Sequence, residues 1–140
     1  MESLFTQEHE RWLKIVDQDL KSAKGLLKLE IFSTATYHCQ QAAEKVLKAY
    51  LVLVFKNYKT IKTHDLVKLI VKCSQFDREF EKLYDDAEHL NPFATKFRYP
   101  TEFDLPNFQD TKKSIQRTQK IINFVLKKIA EPDSGQKELF

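Results

Sequence analysis

Glycine occurs only twice and proline four times in the 140 residues. Sheet proteins reverse at frequent Gly-, Asn- or Asp-rich corners, and this chain has too few to build them, which excludes an all-β architecture. Cysteine is as sparse. Cys39 and Cys73 form no Cys-x-x-Cys pair and fall on apolar faces of predicted helices. That is the pattern of small buried hydrophobes in a reducing compartment, and not of a disulfide or metal framework. No apolar run approaches the roughly 18 residues of a membrane span, and the stretch Met1–Glu10 has no signal-peptide core. A cytoplasmic protein with no membrane partner is the expectation. A Gly-rich phosphate loop, His-Glu-x-x-His and a nucleophile elbow are missing too. Charge of one sign is not in large excess: 23 basic against 20 acidic residues leave a net +3, which permits an anionic partner without demanding one.

What remains is rich in Leu, Lys, Glu, Ala and Ile and long enough for one domain with a real core. The reading is all-α: an up-down bundle of about five helices over residues 1–130, followed by a loose tail at 131–140. Trp12, Ile15, Val16, Leu20, Ala23, Leu26 and Leu27 recur at three- and four-residue spacing, predicting a helix over Thr6–Leu29. After a break at Glu30–Thr34, capped by Ser33 or Thr34, a second helix runs to Phe55. Thr63 is set to accept amides at the start of a third, Asp65–Cys73. Asp77 caps a fourth, carrying Phe80, Leu83, Ala87 and Leu90. The segment Asn91–Pro106 holds three of the four prolines, has no period, and reads as a long loop of the kind that is often functional. A last helix, Asn107–Ala130, places Ile115, Thr118, Ile122, Val125 and Ile129 on one side.

The second helix divides sharply when plotted at about 100° per residue. Ala35, Cys39, Ala42, Ala43, Val46, Ala49, Tyr50 and Leu53 occupy one arc. Tyr37, Gln41, Glu44, Lys45 and Lys48 form a polar ridge on the other, either a site for chemistry or a solvated face. Two further elements compete for a role. In Thr63-His-Asp-Leu66, His64 stands at a helix start that favours an anion, although the same residues suit a structural cap. In Phe97-Arg-Tyr-Pro100, Arg98 is a planar donor suited to phosphate and Tyr99 a stacking face restrained by Pro100. The alternative is that Arg98 pairs with a helix carboxylate and Tyr99 plugs the bundle. Among the remaining histidines, His9 is expected in solvent, His38 borders the ridge, and His89 with Asp85 and Asp86 offers only an incomplete metal pair.

Taken together, Trp12 and Asp19-Leu20, Gln40-Gln-Ala-Ala-Glu-Lys-Val-Leu-Lys-Ala-Tyr-Leu51, Thr63-His-Asp-Leu66 and Arg98-Tyr-Pro100 resemble the HEPN domain (higher eukaryote and prokaryote nucleotide-binding) in its short stand-alone prokaryotic form. The resemblance spans about Glu8 to Ile129. It implies a helical bundle that forms a homodimer, often partnered with a minimal nucleotidyltransferase and in some branches part of a toxin–antitoxin pair. Many relatives are metal-independent ribonucleases in which four to six residues separate an Arg from a following His. The matching positions after Arg98 are Phe103, Asp104 and Leu105, so that pattern is not completed and the enzyme reading gives way to binding. The resulting expectation is a nucleotide or other phosphorylated ligand held by Arg98, Tyr99, Lys48, Glu44, Gln41 and His64, with no assigned catalytic residue, metal or cofactor. An RNA-cleaving toxin built around Arg98, His64 and Glu44, with RNA as the partner, and a ligand-free scaffold are the alternatives.

Overall fold

A computed structural model of the chain describes residues 4–55, 61–94 and 105–131. Five α-helices are found among them: α1 (Leu4–Lys28), α2 (Phe32–Val54), α3 (Leu66–Ser74), α4 (Tyr84–Leu90) and α5 (Phe108–Ala130), with 3₁₀ turns at Arg78–Leu83 and Asn91–Ala94. Among the described residues no helix is long and apolar enough to cross a membrane.

A tight reversal joins α1 to α2 and makes them antiparallel neighbours. The Ile31 amide donates to the Leu26 carbonyl (2.9 Å) and the Glu30 amide to Leu27 (3.0 Å), the paired bonds of a Schellman turn. Glu30 sits there at φ 60, the left-handed conformation that glycine adopts without strain. Because the turn finishes at Ile31, α2 begins at Phe32, ahead of the expected break's end. Ser33 and Thr34 therefore lie inside its first turn and cap nothing; Ile31 is the N-cap and makes no side-chain cap bond.

Helix α2 is the axis of the bundle, packing against α1, α3, α4 and α5. Its Ala-rich arc is buried as the spacing predicted, with Leu53 half-buried. Tyr50 stacks on Phe80 (4.5 Å between centroids), and Phe80 meets Phe124 edge-on (5.2 Å). On α1, Val16 and Ala23 are buried, whereas Ile15 faces outward despite its place in the apolar repeat. His9, expected in solvent, is instead 8 % exposed on α1. The thiols of Cys39 and Cys73 are free and buried; burial pushes Cys39 up to about 12 and Cys73 well above its ordinary value, holding both protonated and inert.

The expected fourth helix is two pieces. Asp77 does cap it, accepting from the Glu79 amide (3.0 Å), but the first turn is 3₁₀. In that tighter winding residues three apart eclipse, which puts Phe80 and Leu83 together in the core before α4 continues with Ala87 and Leu90. Lys128 of α5 braces this corner from Asp77 (2.8 Å) and Glu79 (2.9 Å), and its hydrogen bond holds the Glu79 carboxyl below the usual range. Helix α5 opens with a full capping box between Asn107 and Asp110. Phe32–Phe108 (6.3 Å) and the Thr118 hydroxyl on the Cys39 carbonyl (3.3 Å) set α5 beside α2 in parallel. The tail from residue 132 lies outside the described residues.

Candidate functional site

Gln40, Glu44 and Lys48 follow one another at four-residue spacing on α2 and so stack along one line of the helix. Lys48 Nζ donates to Glu44 Oε2 at 3.0 Å, and Gln40 Nε2 to Glu44 Oε1 at 3.4 Å. The polar ridge is therefore not a solvated face. Glu44 is 3 % and Lys48 5 % exposed, and the ammonium lies 5.8 Å from the centroid of the Trp12 ring on α1. An ion pair this deep persists only when its remaining hydrogen-bonding capacity is met. Here His64 completes it: the imidazole Nδ1 is 3.1 and 3.2 Å from the two Glu44 oxygens. Gln40 also donates to the His64 backbone carbonyl (3.1 Å), and Gln41 to the Gln40 side-chain oxygen (2.7 Å).

A carboxylate only accepts, so Nδ1 of His64 carries a proton and Nε2 is left for a ligand, donating to a phosphate oxygen when it too is protonated and accepting a proton when it is not. The side chain of His64 is 74 % exposed while its anchor is buried. Such an imidazole is fixed in direction yet open to solvent, and it can contact a phosphate or take part in proton transfer.

The helix start itself is not an open anion site. Asp65 Oδ1 accepts from the Val67 (2.9 Å) and Lys68 (3.3 Å) amides, and Asn91 Oδ1 from the Leu66 amide (2.8 Å). Asn91 Nδ2 in turn donates to Asp65 (3.0 Å). Thr63, expected as the cap, accepts from the Asp65 amide one step earlier (3.1 Å), because α3 starts at Leu66 and Asp65 occupies the N-cap. With those amides satisfied, the His64 side chain is what this segment offers a ligand.

A second group of like composition lies farther toward the N-terminus of α2. Asp19 of α1 takes His38 Nδ1 (2.9 Å) and Lys45 Nζ (2.9 Å), clamping α1 to α2. The Asp85–Asp86–His89 group has a different use. Arg117 holds Asp85 (3.1 Å) and Asp86 (3.0 Å), keeping Asp85 below its ordinary pKa, and Lys120 adds a second cation on Asp86 (3.0 Å). Among the described residues no three His, Cys, Asp or Glu side chains are placed to hold a metal.

The model of the HEPN domain family matches residues 9–129. The chain belongs to the HEPN domain family. Among solved structures it is similar to TT1696 from Thermus thermophilus, at 25 % identity and a TM-score of 0.72, covering 85 % of this chain and 96 % of that one. It is also similar in fold to ST0689, an archaeal HEPN homologue, at 22 % identity and a TM-score of 0.68, covering 86 % and 97 %. No curated protein matches.

Within this HEPN bundle, four of the six predicted ligand residues come together: Gln41, Glu44, Lys48 and His64. Arg98 and Tyr99 lie outside the described residues. Sequence reasoning missed Gln40, although its spacing of four to Glu44 was the available signal. It also missed Asn91, which acts on α3 from 25 residues away and leaves no local trace.

Proposed function

We propose that this HEPN domain binds a nucleotide or another phosphorylated ligand at the His64 face of α2. The observation that carries the reading is an exposed imidazole anchored on a buried, lysine-balanced carboxylate. In this arrangement His64 makes the direct contact. Glu44, Lys48 and Gln40 hold it, Gln41 extends the polar edge, and Arg98 and Tyr99 supply the fixed charge and the stacking face. The family likeness supports a homodimer paired with a minimal nucleotidyltransferase in a toxin–antitoxin-like system. Sedimentation should then give twice the 16.6 kDa chain mass, and co-expression with such an enzyme should yield a joint complex.

Calorimetric titration with ATP tests the site. A charge-assisted hydrogen bond is worth about 1.5–3 kcal/mol, so His64→Ala should weaken binding roughly ten- to a hundredfold. Its melting temperature should fall only modestly, since the Glu44 carboxylate loses one partner but keeps Lys48 and Gln40. No measurable binding by the parent, or unchanged affinity in the variant, refutes this reading.

One feature favours a second reading. A carboxylate orienting Nδ1 and leaving the other nitrogen free is the arrangement of a general acid–base histidine. RNA cleavage by the parent that is lost in His64→Ala would make the domain an RNA-cleaving toxin; intact RNA would leave the binding role.

A further inference from the structure

The net positive charge of this chain is carried by one helix. α5 carries Lys112, Lys113, Arg117, Lys120, Lys127 and Lys128 against a single carboxylate, Asp110, which is spent in the capping box. The full chain has a net charge of only +3, so everything outside α5 is on balance acidic. Arg117 and Lys128 are turned to the acidic groups of α4 and the Asp77 corner and brace the fold. Lys112, Lys113 and Lys127 point away from it, and Lys120 reaches Asp86 from the edge of the same face. At about 100° per residue, Lys112, Lys113, Lys120 and Lys127 share one arc with Gln116 and Asn123. All six are exposed, and no carboxylate stands among them. From Lys112 to Lys127 the arc is roughly 22 Å long.

A helix face that serves only solvation gains from acid–base pairs at four-residue spacing; this one has none within α5, since Glu131, four residues after Lys127, is the C-cap and pairs with Lys128. Lys120 touches Asp86 at the arc's edge, while Lys112, Lys113 and Lys127 make no ion pair among the described residues. The basic surface continues onto α1, where Lys24 donates to Gln119 of α5 (3.4 Å) and Lys28 follows one turn later, both exposed.

We propose that this α5–α1 face binds the phosphate backbone of a nucleic acid without reading its bases. Lysine ammonium groups match phosphate charge, and the interleaved amides add hydrogen bonds to phosphate and sugar oxygens. A membrane surface fits less well, because no large apolar side chain lies within the arc to insert. A protein partner would need an aromatic or aliphatic anchor at its centre, and the arc supplies only charge and amide. The proposal does not rest on the His64 site.

The test is fluorescence anisotropy with a labelled 30-nucleotide single-stranded RNA and a labelled 30-base-pair DNA duplex, titrated across a series of KCl concentrations. With at least three lysines on phosphate, log affinity should fall linearly with log salt, at a slope of about −2 for the single strand and about −3 for the duplex. The tighter of the two arms identifies the nucleic acid. Lys112→Gln/Lys113→Gln/Lys127→Gln should flatten the slope by about 2–3 and weaken binding at least about tenfold at the lowest salt. The same variant should melt like the parent and bind ATP like it. A second variant, Lys24→Gln/Lys28→Gln, should lose affinity less steeply, and His64→Ala should leave the salt series unchanged. Absence of binding to both nucleic acids at low salt, or a triple variant whose slope equals the parent's, overturns the proposal. So does preferential binding to phosphatidylserine vesicles.

Discussion

Ala42→Glu should abolish the folded state at physiological temperature or lower the melting temperature by roughly 15–25 °C. Ala42 has no exposed surface and belongs to the Ala-rich arc of the helix on which the other helices pack. A glutamate there adds extra heavy atoms and a carboxyl to a close helix contact, and overpacking alone costs about 1–3 kcal/mol. Burying its unpaired charge adds several kcal/mol more. Domains of this size are stable by only about 5–15 kcal/mol, so the sum removes a large share of the total. Lys14→Glu, on the exposed side of α1, should stay within about 0.5 kcal/mol of the parent. Thermal melting by circular dichroism of both variants measures this. A variant at Ala42 that melts with the parent would mean α2 is not the buried axis.

The helices were readable because their signals are local. The spacing of Ala42, Val46 and Ala49 holds whatever packs on it, and the Asp77 cap acts within two residues. What escaped was set by partners far along the chain. Glu44 and Lys48 look like a solvated ridge until the segment at His64, 20 residues on, and Trp12 of α1 close over them. His9 looks terminal and solvated, yet it is buried. The clamp of Asp19 on His38 and Lys45 joins separate helices in the same way. The overall charge of +3 also conceals more than it tells, because it averages a basic α5 with an acidic remainder. For the candidate site, the sequence named the interacting side chains Gln41, Glu44, Lys48 and His64 but assigned them to ligand contact. The distances show most of their hydrogen bonds directed at one another.

That mutual satisfaction predicts the second large effect. Glu44→Ala should destabilise the protein by about 3–5 kcal/mol, since it leaves the Lys48 ammonium buried without its counter-charge and takes the acceptor from Gln40 and His64. Removing both charges together is a different matter. Glu44→Leu/Lys48→Met replaces the pair with apolar side chains of similar volume, a change that is often neutral or stabilising, so the double variant should recover most of the loss. If the pair existed only to hold the bundle, function would recover with it. If its role is to aim His64, the double variant should fold but bind ATP as weakly as His64→Ala, because the imidazole no longer has a carboxylate to fix Nδ1. Melting and titration of the three proteins separate these cases. A Glu44→Ala protein as stable as the parent would refute the buried pair, and a folded double variant with parental ATP affinity would place the ligand elsewhere.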